Sequence, residues 1–253
     1  MKLDKCVLLI ILISFIYVSV AFAAVPTEAL INQQSLDTAK EKSKIEEAIN
    51  LSKMNPKQFL VDKKNILNRN ELTEIKSATE LEYGNAYKVV SINKNVIQAL
   101  LDGTNLATIL QTTPYYWEFP VLFRKDSVIK PVASFKMAKH NNEWQVVEIG
   151  GYLSPEQINF SSNTAELNNI LKNKSLGKVD SFIHFRWYSI HSDFLYISTE
   201  GKEYFVPLIH GRDELYGLRN KAVYTRDELV SAIGPIIKKN LEVNSPITGY
   251  PSS

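Results

Sequence analysis

The stretch SFIHFRWYSIH, residues 181–191, sets two histidines, an arginine, a tryptophan and a tyrosine within eleven positions. Residue types of this kind serve proton transfer, metal ligation and ligand recognition. On a strand, alternate side chains share a face, so Ile183, Phe185 and Trp187 point one way and His184, Arg186 and Tyr188 the other. The first set is the expected core face. The second is a polar, aromatic face and the candidate binding surface. His191 lies seven residues from His184 and falls on the opposite parity, so a regular strand cannot bring the two to one ion; a turn near Ser192 would change that parity. The competing reading takes His184, Arg186 and Tyr188 as cross-strand partners or solvated residues. Replacing all three with alanine is then expected to cost a few tenths to about 1 kcal/mol per pair.

Other constellations are weaker. HGRDE (210–214) offers His210, Asp213 and Glu214 after a strand, but no HExxH or paired CxxC accompanies it, so no metal is expected and the stretch reads as a polar loop. RDEL occurs at 212–215 and again at 226–229, and internal copies carry no sorting meaning. There is no G-x-S-x-G elbow, P-loop or GxGxxG, which argues against an acyl-transfer serine and against nucleotide cofactors. Glu118, Glu143, Glu148, Asp193 and Glu203 could meet across strands as the carboxylate pair of a glycoside hydrolase.

The elements that must position these groups follow from periodicity. Glu28 to Lys53 has apolar residues at helical spacing and no glycine or proline, which predicts a surface helix ending before Asn55-Pro56, polar enough in its first half to be a loosely held arm. Next come a strand at 87–92, a helix at 95–103 stopped by Gly103, and strands at 115–123, 128–138 and 143–150, with Asn141-Asn142 as a hairpin turn. Gly150-Gly151 marks a boundary. Ser154, Pro155 and Gln157 form a capping box for a new helix that continues through 166–173. Strands return at 181–189, 193–199 and 203–209, with Glu200-Gly201 as a tight turn. Thr225 to Glu228 is a second capping box, and the helix over 229–241 is expected to break near Gly234-Pro235. Pro120 and Pro207 each sit inside an aromatic-rich strand, where a missing N–H demands an edge or a bulge.

The N-terminus bounds the compartment. Lys2 and Lys5 precede an apolar run that ends in Ala21-Phe22-Ala23, the pattern of a cleaved signal peptide. The rival is an uncleaved anchor, since Cys6 to Val25 is 20 apolar or small residues. Removing residues 1–23 takes the basic and acidic counts from 29 and 27 to 27 and 26. The mature chain is therefore nearly neutral, with no basic stripe for nucleic acid. Cys6, the one cysteine, is removed too, so no disulfide can form. Richness in lysine, asparagine and isoleucine, with little arginine, suggests a bacterial source.

The run W-x-V-V-x-I-G at 144–150, with the helix and meander around it, is similar to small exported cystatin-like and pro-region-like domains over less than a third of the chain. No site residue follows from that likeness. The expected fold is α+β: two small helix-plus-antiparallel-meander subdomains after an N-terminal helical arm, with degenerate repeats suggested by the two proline-bearing strands. The expected division is signal peptide 1–23, arm 24–56, subdomains 57–153 and 154–245, and tail 246–253. The expected function is cofactor-free binding of an exported protein, peptide or surface polymer in the bacterial envelope or medium. The alternatives are a secreted hydrolase of cell-wall or extracellular polymer and a folding assistant or inhibitor of an exported protease.

Overall fold

Alternating apolar residues in the two meanders build one continuous sheet. The computed structural model describes residues 30, 32–67, 70–125, 128–151, 169–170, 172, 174, 176 and 178–242. The expected signal segment, the capping box expected at Ser154–Gln157, most of the helix expected at 166–173 and the expected tail lie outside the described residues. The strands are β1 (Leu81–Tyr83), β2 (Tyr87–Ser91), β3 (Tyr115–Lys125), β4 (Val128–His140), β5 (Glu143–Gly151), β6 (Val179–Trp187), β7 (Ser192–Thr199), β8 (Lys202–Leu208), β9 (Glu214–Leu215), β10 (Leu218–Arg219) and β11 (Tyr224–Thr225). The helices are α1 (Lys42–Leu51), α2 (Pro56–Leu67), α3 (Asn70–Thr73), α4 (Lys94–Asp102), α5 (Leu106–Thr112) and α6 (Arg226–Glu242). The protein is α+β.

The sheet order is β11-β8-β7-β6-β2-β3-β4-β5, with β1 also on β3. Both meanders are antiparallel, and they join through parallel pairing of β2 with β6, Val90 opposite Phe185 and Ser91 opposite Arg186. The stretches 57–153 and 154–245 therefore share a sheet. They also share a core: α4 and α5, from the first stretch, pack with Phe185, Phe194 and Phe205 of the second.

Helices cover one face. Val90, Trp117, Phe119, Phe135, Ile183 and Phe185 all point to it, α1 and α2 lying over the first meander and α4, α5 and α6 over the second. Tyr115 touches both apolar clusters and marks the seam between them. The opposite face carries an apolar patch of Phe182, Leu195, Ile197, Val206 and Leu208 beside a polar centre.

Local signals act as the sequence predicts at several points. Asn93 caps α4 by accepting from the Val96 N–H, and Gly103 closes it at φ 76°, a conformation glycine adopts without a Cβ penalty. Asn141 and Asn142 take φ 49° and 65°, and Glu200-Gly201 takes 49° and 74°, as two-residue hairpins require. In the second capping box the Thr225 N–H donates to the Glu228 carboxylate at 2.7 Å. The prolines avoid lost ladder bonds. Pro120 turns its backbone toward the gap between β1 and β2, where its carbonyl takes the Gly84 N–H, and a bulge follows at Val121/Leu122. Pro207 turns away from β7 to a place beyond the two-residue β11, its carbonyl accepting from the Lys221 N–H.

Two expectations are corrected. α6 runs unbroken through Pro235, because burying Leu229, Ile233 and Ile237 along one stripe outweighs one lost hydrogen bond. The described part of the N-terminal arm is not loosely held. Among its described residues, helix α1 runs from Lys42, Leu36, Ile45 and Ile49 are core residues, and a bridge from Ser35 to Tyr87 extends the sheet beside β2.

Candidate functional site

Strand β6 places its two sets of side chains as alternation requires. Ile183, Phe185 and Trp187 enter the helix-covered core. His184 and Arg186 turn to the other face, but not into solvent: His184 is 2% exposed, and the Arg186 side chain is 12% exposed. Tyr188 leaves the strand at a single 3-10 turn and is half-buried. Of the two alternatives, cross-strand partners or solvated residues, Arg186 takes the first, opposite Asp193, while His184 and Arg186 depart from the second; with the groups buried, the small cost assigned to removing them no longer applies. What buries these groups is a set of partners that only the tertiary pairing supplies.

Arg186 is the hub. Directly across the ladder, Asp193 receives its Nε at 2.6 Å and its outer nitrogen at 2.8 Å. The same guanidinium reaches over β2 to Glu118 on β3, at 2.8 Å and 3.2 Å. Ser134 on β4 donates to Glu118 at 2.9 Å, and His184 Nε2 lies 2.9 Å from Asp193. The Tyr87 ring stacks on His184, parallel to within 1° at 5.2 Å. Beside this group, Lys136 pairs with Glu148 at 2.6 Å and lies 3.4 Å from the Tyr188 hydroxyl, which lies 3.4 Å from that of Tyr116. One arginine thus ties carboxylates from both meanders together across the parallel seam.

Burial raises the Asp193 carboxyl, but the Arg186 charge and the bonds from Arg186 and His184 outweigh it and hold the group well below its ordinary value. Burial likewise disfavours the Arg186 cation, and Asp193 and Glu118 more than restore it. Burial, and then the charge of Glu118, pushes the Tyr87 phenol far up, so it stays neutral. These carboxylate oxygens already hold two protein donors or the guanidinium. A general base needs a lone pair that its substrate can reach, and Asp193, 2% exposed and holding three bonds from Arg186 and His184, presents none to solvent.

A pH dependence follows. Because the folded-state value of Asp193 is depressed, its contribution is complete above the ordinary aspartate value of 3.8 and is lost as pH falls from there toward the folded value. The melting temperature should fall between about pH 5 and pH 2, and Asp193→Asn should melt lower at neutral pH with a shallower acid slope. Thermal melts of both proteins across that range check this; parallel slopes would remove Asp193 from the account.

The other nominated residues do not converge. Glu143 is exposed at the start of β5. Glu203 belongs to a separate cluster, accepting from Tyr196 and from the Leu106 N–H at 2.8 Å each and pairing with Arg226. His210 and Asp213 lie in the loop from β8 to β9, Glu214 opens β9 opposite Arg219, and His191 sits in the turn after β6 at φ 51°. Among the described residues no three His, Cys, Asp or Glu side chains are grouped to hold a metal ion, and no helix is long and apolar enough to cross a membrane.

Sequence reasoning missed a second site, a cleft of about 510 Å³ over the seam on the helix-covered face. Asn32, Gln33 and Glu41 from the N-terminal arm line it against Lys88, Tyr115 and Trp117 from β2 and β3. The Tyr115 hydroxyl donates to Glu41 Oε1 at 2.6 Å, the Trp117 indole approaches the same oxygen at 3.4 Å, and the Lys88 ammonium stands 4.0 Å over the Tyr115 ring. Burial opposes the Glu41 charge, but the Tyr115, backbone and Trp117 bonds keep its carboxyl below the ordinary range. The contacts span 74 and 76 residues of sequence, so no local pattern could show them. Compared with protein-family models, curated proteins and solved structures, the chain finds no match.

Proposed function

We propose that this chain is an exported bacterial protein that binds another exported protein, a peptide or a surface polymer, without cofactor or turnover. The observation that carries the reading is a division between two sets of polar groups. Asp193, Glu118 and His184 are spent on Arg186 and on each other, and Arg186, His184 and Tyr188 stiffen the sheet from its far face. The cleft at the seam, in contrast, offers the half-exposed Tyr115, Lys88 and Glu41 and the exposed amides of Asn32 and Gln33, the mix of aromatic, amide and charged groups that recognition sites use.

The test is capture and turnover on one preparation. Immobilised chain beginning at Ala24 should retain a component of the native medium and show no release of sugar or peptide fragments from cell wall. Fragment release that disappears in folded Glu118→Gln or Asp193→Asn protein would overturn the reading in favour of a hydrolase.

A further inference from the structure

We infer that the seam cleft binds the C-terminal end of a peptide, with the Lys88 ammonium as the counter-charge for the terminal carboxylate. This rests on the binding reading above and names the ligand for it. Lys88 is half-buried on β2, and among the described residues no carboxylate lies within ion-pair distance of it. It packs over the Tyr115 ring, and burial pulls its ammonium below the ordinary lysine range, with only the more distant charge of Glu41 working against that. An ammonium held in a cleft without a bonded anion is a site for one.

The rest of the lining matches what precedes a terminal carboxylate. Glu41 presents one oxygen to Tyr115 and Trp117, and among the described residues its Oε2 has no hydrogen bond, so it can accept a ligand amide N–H. Asn32 and Gln33 are exposed carboxamides that can serve both sides of a peptide unit. Their wall is fixed in advance: the Lys88 N–H holds the Gln34 carbonyl at 2.8 Å, the Leu36 N–H holds that of Ala86 at 3.0 Å, and the Asn32 carbonyl takes the Ser35 N–H at 3.0 Å. Cation, carboxylate acceptor, paired amides and aromatic wall together fit a short peptide with a free acid end. A bare inorganic anion would use Lys88 alone.

Trp117 provides a local reporter, since its indole N–H faces Glu41. The probes are N-acetylated tripeptides ending in alanine, leucine or phenylalanine, each as free acid and as amide, titrated into the nitrogen-15 labelled mature chain. The expected result is a saturable shift of the Trp117 indole resonance by at least one free acid. Its amide should bind about tenfold or more weaker, the loss expected for one charge-assisted bond. Lys88→Met, which keeps the packed stem, should show the same loss at an unchanged melting temperature. Equal binding of acid and amide, or no shift with any free acid, overturns the inference. In either case, a medium component still captured by wild-type and by Lys88→Met protein leaves the binding reading standing elsewhere on the surface.

Discussion

Replacing Arg186 with methionine is expected to destabilise the fold by about 3–5 kcal/mol, the cost of leaving a buried charge without its partner. The substitution keeps the packed stem and removes only the guanidinium. Asp193 and Glu118, 2% and 0% exposed, then share one interior region with His184 and Ser134 as their remaining donors. For a chain whose total stability falls in the usual range of about 5–15 kcal/mol, such a loss leaves a marginal protein. Arg186→Lys should rescue incompletely, because one ammonium cannot reproduce a fork that holds Asp193 through two nitrogens and Glu118 at the same time. Combining Arg186→Met with Glu118→Gln and Asp193→Asn should recover part of the loss by removing the stranded charges. Urea unfolding of the series decides the matter. A loss below about 1 kcal/mol for Arg186→Met would mean the pair behaves as an exposed one.

Trp187→Ala, one residue further along β6, is expected to cost about 3–5 kcal/mol for a different reason, the cavity left by a large buried aromatic. Trp187 is 1% exposed and lies with Phe185, Ile190 and Phe194 beneath the helices, its ring 6.1 Å from that of Phe194. Because α4, α5 and α6 share this cluster, the loss should be felt across both meanders in one cooperative transition. Trp187→Phe should be much milder. It keeps most of the apolar volume and removes an indole N–H that has no hydrogen-bond partner among the described residues. Denaturant melts followed by far-ultraviolet circular dichroism test this, and a Trp187→Ala cost under 1 kcal/mol would contradict the placement of the side chain.

Sequence alone determined what is local in this protein. Alternation in β6 sends Trp187 and Arg186 to opposite faces, and that holds because the side-chain period of a strand does not depend on its neighbours. Turn and cap chemistry was equally legible, since the φ angles at Asn141-Asn142 and Gly103 and the Thr225–Glu228 box involve only residues a few positions apart. Tertiary structure decided whether a face is wet or dry. His184 and Arg186 read as an outward row because nothing near them in sequence reveals Glu118, 68 residues before Arg186, or the parallel register that brings β3 within reach across β2. The break expected at Pro235 failed for the same reason: the local penalty was read correctly, but the core that absorbs Ile233 and Ile237 is assembled from distant segments. The seam cleft, closed by the arm folding back on β2 and β3, exists only once the chain has paired with itself. A contact's energy depends on which groups share a dry space, and strand pairing over long separations, set by the sum of all the burials, fixes that.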